Sequence, residues 1–200
     1  LSKLQAAGVR GNLLQWIEAW LTNRQQRTVL NGKCSEWSDV LSGVPQGSVL
    51  GPILFIIFIN DIDGVISMLS FISKFADDTK LFRIVNSDSD RADLQADIDE
   101  LFRWSCEWNM LFESSKCSVI HFGRHNLQYH YTMDGYAPAG TVLDNVAVEK
   151  DLGVMIHSSL KPSVQCATAV NKANMILGQM ARAFSDRDKY TWIRLYRMYV

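Results

Sequence analysis

The stretch KFADDTKLF, residues 74–82, sets two carboxylates, Asp77 and Asp78, side by side between two apolar runs. Ionised carboxylates this close repel each other, and the cations nearest in sequence are Lys74 and Lys80. Two readings fit such a pair: a solvated turn, or oxygen ligands for a hard divalent cation. The dipeptide is common, so its setting must decide between them. Little else in the chain competes for metal chemistry. His121, His125, His130 and His157 share no metal-ligand spacing, and Cys34, Cys106, Cys117 and Cys166 form no C-x-x-C pair. These cysteines fit a reduced intracellular protein better than a disulfide frame or a zinc site.

The elements that must position the pair follow from periodicity. FISKFADDTKLFRIV reads as strand, two-residue turn, strand, a hairpin expected to be buried. Before it, Gly43, Pro45 and Gly47 mark a loop, and the run VLGPILFIIFI (49–59) is expected to be helix, with Pro52 tolerated in the first turn. Residues 10–24 carry Leu13, Leu14, Ile17 and Leu21 at helical spacing, and Asn31-Gly32 signals a hairpin after them. After the carboxylates, SDSDRADLQADIDELFRWSCEWN predicts an amphipathic helix capped by Ser89 or Asp90, with Leu94, Ile98, Leu101 and Trp108 on one stripe. A short strand, CSVIHFG, and several turn-linked strands over 131–160 follow. From Pro162 the pattern becomes helical, which places a boundary near 158–162.

At 200 residues, with 48% hydrophobic and 20% charged residues, the chain can bury a core and is not a disordered segment. The run at 49–59 is shorter than the roughly 20 apolar residues of a membrane span, so no membrane association is expected. Charge is uneven. Residues 1–35 hold five Lys/Arg against one Glu, residues 161–200 seven against two Asp, and the middle eight against eighteen acids. Basic flanks around an acidic centre suit a phosphate backbone and a metal, although many of the acids lie on the exposed helix face. Leu1 in place of Met, and a helical pattern still running at Val200, lead us to expect a fragment of a longer chain.

Taken together, these motifs resemble the reverse transcriptase domain of non-LTR, LINE-type (jockey/CR-like) retrotransposons. SGVPQGSVLGPILFIIFINDI (42–62) is similar to the family's motif B, and FADD (75–78) to motif C, with Phe75 where many reverse transcriptases carry Tyr. WNMLFESSKCSVIHFG (108–123) resembles motif D, KDLGVMIHSSL (150–160) the primer grip, and residues 1–32 the segment joining motifs A and B. The resemblance implies an α+β fold. Residues 1–160 would be a partial right-hand palm, an antiparallel sheet with packed helices, and 161–200 the start of a helical thumb. It implies RNA-directed DNA polymerisation by two-metal nucleotidyl transfer from dNTP to a primer 3′-OH on an RNA template. Mg²⁺ is the expected ion, with Mn²⁺ as an alternative.

The resemblance also assigns residues. Asp77 would be the principal metal ligand and Asp78 its support. Pro45, Gln46, Gly47 and Phe75 would lie near the templating base and nucleotide, and Lys116 would offset charge on the leaving pyrophosphate. Arg24, Arg27 and Gly153 would touch the nucleic-acid backbone. Plainer readings stand beside these: an ordinary loop at Gly43 and Gly47, solvated cations at Lys116, Arg24 and Arg27, and a β-turn glycine at Gly153. Asp61 and Asp63 are structural in the family pattern. Implied partners are an RNA template, a DNA primer, dNTPs and the remainder of a parent polyprotein, in an intracellular ribonucleoprotein of nucleus or cytoplasm. The departures are Glu113, where motif D usually has Asn, and the first catalytic Asp, which in the family lies in motif A, upstream of LSKL, with the fingers and any endonuclease. Without that Asp the 200 residues alone are expected to be inactive. A catalytically dead, RNA-binding or structural remnant is the alternative.

Overall fold

The computed structural model describes residues 1–133, 140–185 and 188–199. These residues fold as two compact units, one of residues 1–84 and 92–110, the other of residues 85–91 and the segment from 111 on. In the first unit, α1 (Ser2–Ala6) and α2 (Gly11–Leu21) precede four short strands: β1 (Gln25–Gln26), β2 (Val29–Leu30), β3 (Lys33–Cys34) and β4 (Ser38–Asp39). β1 pairs with β4 and β2 with β3, both antiparallel. Asn31 and Gly32 turn between β2 and β3 with φ of 51° and 77°, as the Asn-Gly signal requires. The helix α3 (Leu50–Ile59) follows with Pro52 in its first turn and runs into a 3₁₀ segment, Asn60–Val65. The hairpin β5 (Phe71–Phe75) and β6 (Asp78–Phe82) leads to α4 (Asp88–Glu107).

Two polar knots hold this unit together. Leu4, Ile17 and Leu54 form an apolar centre with Leu14, Trp20 and Ile57 against it. Beside it, the Lys3 ammonium sits 3.8–4.5 Å from the ring centroids of Phe58, Trp104 and Trp108, pairs with Asp61 at 2.7 Å and donates to the Phe58 carbonyl at 2.7 Å. Trp104 Nε1 donates to the same Asp61 carboxylate at 3.1 Å, so Asp61 is structural. A cation so enclosed is held by desolvated cation–π and charge-assisted contacts together. The second knot is Asp97, 4% exposed on α4. It accepts the Ser67 N–H at 2.7 Å, the Ser67 hydroxyl at 2.8 Å and the Ser70 hydroxyl, and the Arg83 guanidinium lies 3.8 Å away. Arg83 also pairs with Asp93 at 2.5 Å.

The expected stripe on α4 is present, with Ile98, Leu101 and Trp104 buried. Its cap differs from expectation. Ser87 accepts the Asp90 N–H at 3.2 Å, while the Asp90 carboxylate accepts the Asn86 N–H at 3.0 Å and the Ser87 hydroxyl at 2.8 Å. This is a reciprocal capping box, so Asp90 supplies its third position and Ser87 the cap.

In the second unit, a 3₁₀ turn (Ser114–Lys116) precedes β7 (Ser118–Ile120), β8 (Thr132–Met133), β9 (Thr141–Val142), β10 (Asp144–Val146), β11 (Val148–Asp151) and β12 (Val154–His157). β7 and β10 run parallel, while β8–β9 and β11–β12 are antiparallel. The part of the strand expectation at 134–139 lies outside the described residues. β12 ends at His157 and α5 (Ser163–Ala183) starts six residues on, where the pattern changes from strand to helix; α6 (Lys189–Tyr199) follows. Gln165 ties the two together by accepting the Met155 N–H at 2.8 Å.

The chain is thus α+β, with small, mostly antiparallel ladders. Among the described residues each ladder has two strands, so the continuous sheet expected from sequence is not seen. Nor is any described helix long and apolar enough to cross a membrane. Truncating Asp97 leaves the Arg83 charge without one of its acids and two serines without an acceptor. Asp97→Ala should therefore lower stability by about 3 kcal/mol, read as a fall in the urea midpoint. Asp97→Asn, which keeps an acceptor, should cost less.

Candidate active site

The β5–β6 hairpin places the two carboxylates. Its register pairs Phe75 with Asp78 and Lys74 with Thr79, and Ala76 and Asp77 form the turn between. Ala76 has φ of +52°, a left-handed conformation that costs an L-residue about 1 kcal/mol. Asp77 therefore lies on the turn and Asp78 opens β6. Both are exposed, and among the described residues neither carboxylate makes a hydrogen bond or ion pair. The hairpin is not buried as expected. Phe71, Phe75 and Phe82 are 52–64% exposed, and Phe71 stacks on Phe82 across the strands at 5.4 Å.

Strand alternation separates Asp78 from the nearest upstream lysine. Lys74 lies on the half-buried face, pairs with Asp63 at 2.7 Å and reaches the Ile59 carbonyl. Phe75 and Asp78 share the opposite, exposed face. The tip thus carries two adjacent negative charges with no compensating partner in the structure.

The loop before α3 carries Pro45, Gln46 and Gly47, the last two exposed. Gly47 has φ of +78°, which favours glycine. Residues not singled out from sequence shape this loop. The Ser48 hydroxyl donates to the Pro45 carbonyl at 2.7 Å and accepts the Gly51 N–H at 2.9 Å, capping α3. A side chain on Gly51 would meet Ser48 Oγ at 2.9 Å and the Pro45 carbonyl at 3.0 Å, so the close approach occurs there rather than at Gly47. The signal for both was a serine just before the apolar run with glycine three residues on.

Arg24 holds the other end of the loop. Its Nε donates to the Leu21 carbonyl at 2.8 Å, and its Nη2 to Gly43 at 2.5 Å and Ser42 at 3.3 Å. Arg27 instead packs over Trp37, its guanidinium carbon 4.6 Å from the ring centroid.

Lys116 and Gly153 belong to the second unit. Lys116 ends the 3₁₀ turn and donates its N–H to the Glu113 carbonyl at 2.9 Å. The Ser115 hydroxyl, 2.7 Å from Glu113 Oε1, and then the Ser115 N–H hold the Glu113 carboxyl below the usual range. Glu113 thus organises the turn at the position where the sequence departs from its family pattern. Burial, then the Glu113 charge, pushes the neighbouring Cys117 thiol up, which keeps it protonated and unreactive. Gly153, at φ of +87°, completes the β11–β12 turn with Leu152 at +45°.

The donor set at the hairpin tip suits a hard divalent cation. Asp77 and Asp78 offer only carboxylate oxygens, and Mg²⁺ is commonly held by one or two carboxylates with water and substrate phosphate. Among the described residues no group of three or more His, Cys, Asp or Glu side chains gathers.

Two expectations test this construction. Ala76→Gly should leave stability within about 0.5 kcal/mol, because relief of the left-handed strain offsets added backbone freedom. Ala76→Ile should cost about 1 kcal/mol or more, since a β-branched residue tolerates that conformation poorly; urea unfolding measures both. Arg24→Gln should speed amide exchange across residues 42–48 while leaving β5–β6 protection unchanged.

The chain matches the family model for reverse transcriptase (RNA-dependent DNA polymerase) over residues 1–167. It is 28% identical over 155 residues to the RNA-directed DNA polymerase from mobile element jockey of Drosophila funebris, covering 74% of this chain and 16% of the relative. It is 25% identical over 180 residues to that of Drosophila melanogaster, covering 86% and 19%. The probable RNA-directed DNA polymerase from transposon X-element of Drosophila melanogaster is 31% identical over 153 residues, covering 72% and 16%. The chain therefore spans under a fifth of the length of these relatives. No solved structure matches it. With the family model covering most of its length and a bare pair of carboxylates at the β5–β6 tip, the chain belongs to the reverse transcriptase family.

Proposed function

We propose that these residues are the part of a mobile element's RNA-directed DNA polymerase that carries two of its catalytic carboxylates. The observation that carries this reading is the tip of β5–β6. Two adjacent acids stand there unpaired, while Asp61, Asp63 and Asp93 nearby are each matched to a cation. Enzymes of this family generally use divalent metal ions. Asp77 is the principal ligand and Asp78 the supporting one, with Mg²⁺ the preferred ion and Mn²⁺ the alternative. The chemistry such an ion supplies is Lewis-acid stabilisation of the attacking and leaving oxygens of an in-line displacement. The reaction joins the primer 3′-OH to the α-phosphate of a dNTP on an RNA template and releases pyrophosphate.

The remaining roles belong to the chain's own groups. Pro45, Gln46 and Gly47, in the loop clamped by Arg24 and capped by Ser48, face the templating base and nucleotide, as does Phe75 on the hairpin. Lys116 offsets charge on the leaving pyrophosphate or donates a proton to it. Arg27 and Gly153 lie along the nucleic-acid backbone. Arg24 keeps only Nη1 for a phosphate, so its larger role is to position the loop. In this reading residues 1–160 form part of a palm and 161–200 begin a helical thumb. The parent polyprotein supplies a third carboxylate and the fingers, and the particle is an intracellular ribonucleoprotein of nucleus or cytoplasm.

The test is primer extension on an RNA template by a domain completed upstream of Leu1 with the corresponding jockey segment. Asp77→Ala should lower nucleotide incorporation by about 100-fold or more, the scale for losing a group that stabilises transition-state charge. Asp78→Ala should have the smaller effect, and both variants should leave RNA affinity equal or slightly higher. Incorporation unchanged in Asp77→Ala would replace the catalytic reading with that of an RNA-binding remnant.

A further inference from the structure

The four short strands at 25–39 form one bent ribbon. Gln25 pairs with Asp39 and Gln26 with Ser38, whereas Val29 pairs with Cys34 and Leu30 with Lys33. Between the two ladders Thr28 and Ser35 are bonded both ways, the Ser35 N–H reaching the Thr28 carbonyl at 2.9 Å and the Thr28 N–H the Ser35 hydroxyl at 2.9 Å. The register therefore slips by one residue, so that Glu36 and Trp37 together stand opposite Arg27. This is a β-bulge, a device that re-aims a side chain and increases local twist. Here it accompanies the Trp37 indole under the Arg27 guanidinium, at 4.6 Å.

Every residue from 25 to 39 is exposed, on both faces of the ribbon. Trp37 is 57% exposed although its ring already carries one partner. The Arg27 guanidinium carbon packs on the Trp37 ring, and its N–H donors have no hydrogen-bond partner among the described residues. A guanidinium packed on an aromatic ring can still offer its edge donors to a phosphate. The Trp37 ring keeps more than half of its surface exposed, room for a further flat ring. Lys33 adds a second exposed cation at the ribbon tip. By contrast, Lys3 and Arg24 of the same unit are engaged within the fold.

We infer that the bulged ribbon 25–39 is a binding site for single-stranded nucleic acid, in which Trp37 stacks a base and Arg27 takes the adjacent phosphate. The inference rests on the polymerase reading for the class of ligand and names a contact away from the carboxylate tip. Aromatic stacking beside a cationic groove is the usual means of holding a strand without reading its sequence. A protein partner would also use an exposed Trp and Arg. The unpartnered guanidinium donors and the exposed indole, with Lys33 nearby, favour the strand.

The experiment is fluorescence anisotropy of a labelled single-stranded oligouridine with the whole 200-residue chain at several salt concentrations. Trp37→Ala should weaken binding about tenfold, the scale of losing one base–aromatic stack, and Trp37→Phe should restore most of it. Arg27→Ala should weaken binding and lower the salt slope by about one. The ribbon buries little, so circular dichroism should show these variants folded as wild type. Trp37→Ala binding with wild-type affinity overturns the inference, as does a wild-type chain that binds no single-stranded RNA. A variant that loses affinity only for a protein, not for RNA, assigns the ribbon to a protein partner and overturns it too. Primer extension by the completed Asp77→Ala domain judges the polymerase reading separately, so the two failures are distinguishable.

Discussion

The Asp97 carboxylate, buried on α4 and ringed by Ser67, Ser70 and Arg83, is the interaction on which the β5–β6 hairpin depends. A buried charge is tolerated only with its hydrogen bonds made. Here they come from Ser67 and Ser70, which lead into β5, and Arg83, which follows β6, adds an ion pair at 3.8 Å. One side chain thereby fastens both ends of the hairpin to a long helix. The tip, where Asp77 and Asp78 stand, is presented from a fixed base.

The distribution of charge in this unit follows from strand alternation and local pairing. Lys3 answers Asp61, Lys74 answers Asp63, and Arg83 answers Asp93 and Asp97. Lys74 sits only four residues from Asp78, yet its side chain lies on the other face of the two-residue repeat. The fold thus pairs Asp61, Asp63, Asp93 and Asp97 with cations and leaves the exposed tip pair without a partner among the described residues. The loop before α3 is held in the same manner, by Arg24 on its carbonyls and by Ser48 bonded to Pro45 and Gly51. In both cases precision at a polar site comes from neighbours that are not themselves reactive.

Much of this could be read from the chain. Helical spacing located α2 and α4, Asn31-Gly32 located its hairpin, and the apolar run with Pro52 near its start located α3. The FADD dipeptide in its setting marked the tip and the family. Three things were not readable. Asp97 looked like one acid among many on a charged helix face, because burial is decided by elements far apart in sequence. Arg24 looked like a surface cation, since its carbonyl partners lie about twenty residues on. The expected burial of β5–β6 failed because its aromatic face, Phe71, Phe75 and Phe82, stays more than half exposed, and packing by distant elements is not written in a strand's own pattern.

What the sequence determined by itself was local: the periods of its helices and hairpins, the turn chemistry of Asn31-Gly32, and the adjacency of two carboxylates, which no folding can separate. Tertiary structure alone decided which charges are partnered. Pairing depends on distances of a few ångströms between residues such as Lys3 and Asp61, and those distances are set by the packing of whole elements. It also decided that Lys74 and Arg83, the hairpin cations whose side chains lie toward its half-buried face, meet Asp63, Asp93 and Asp97 and not the pair at the tip.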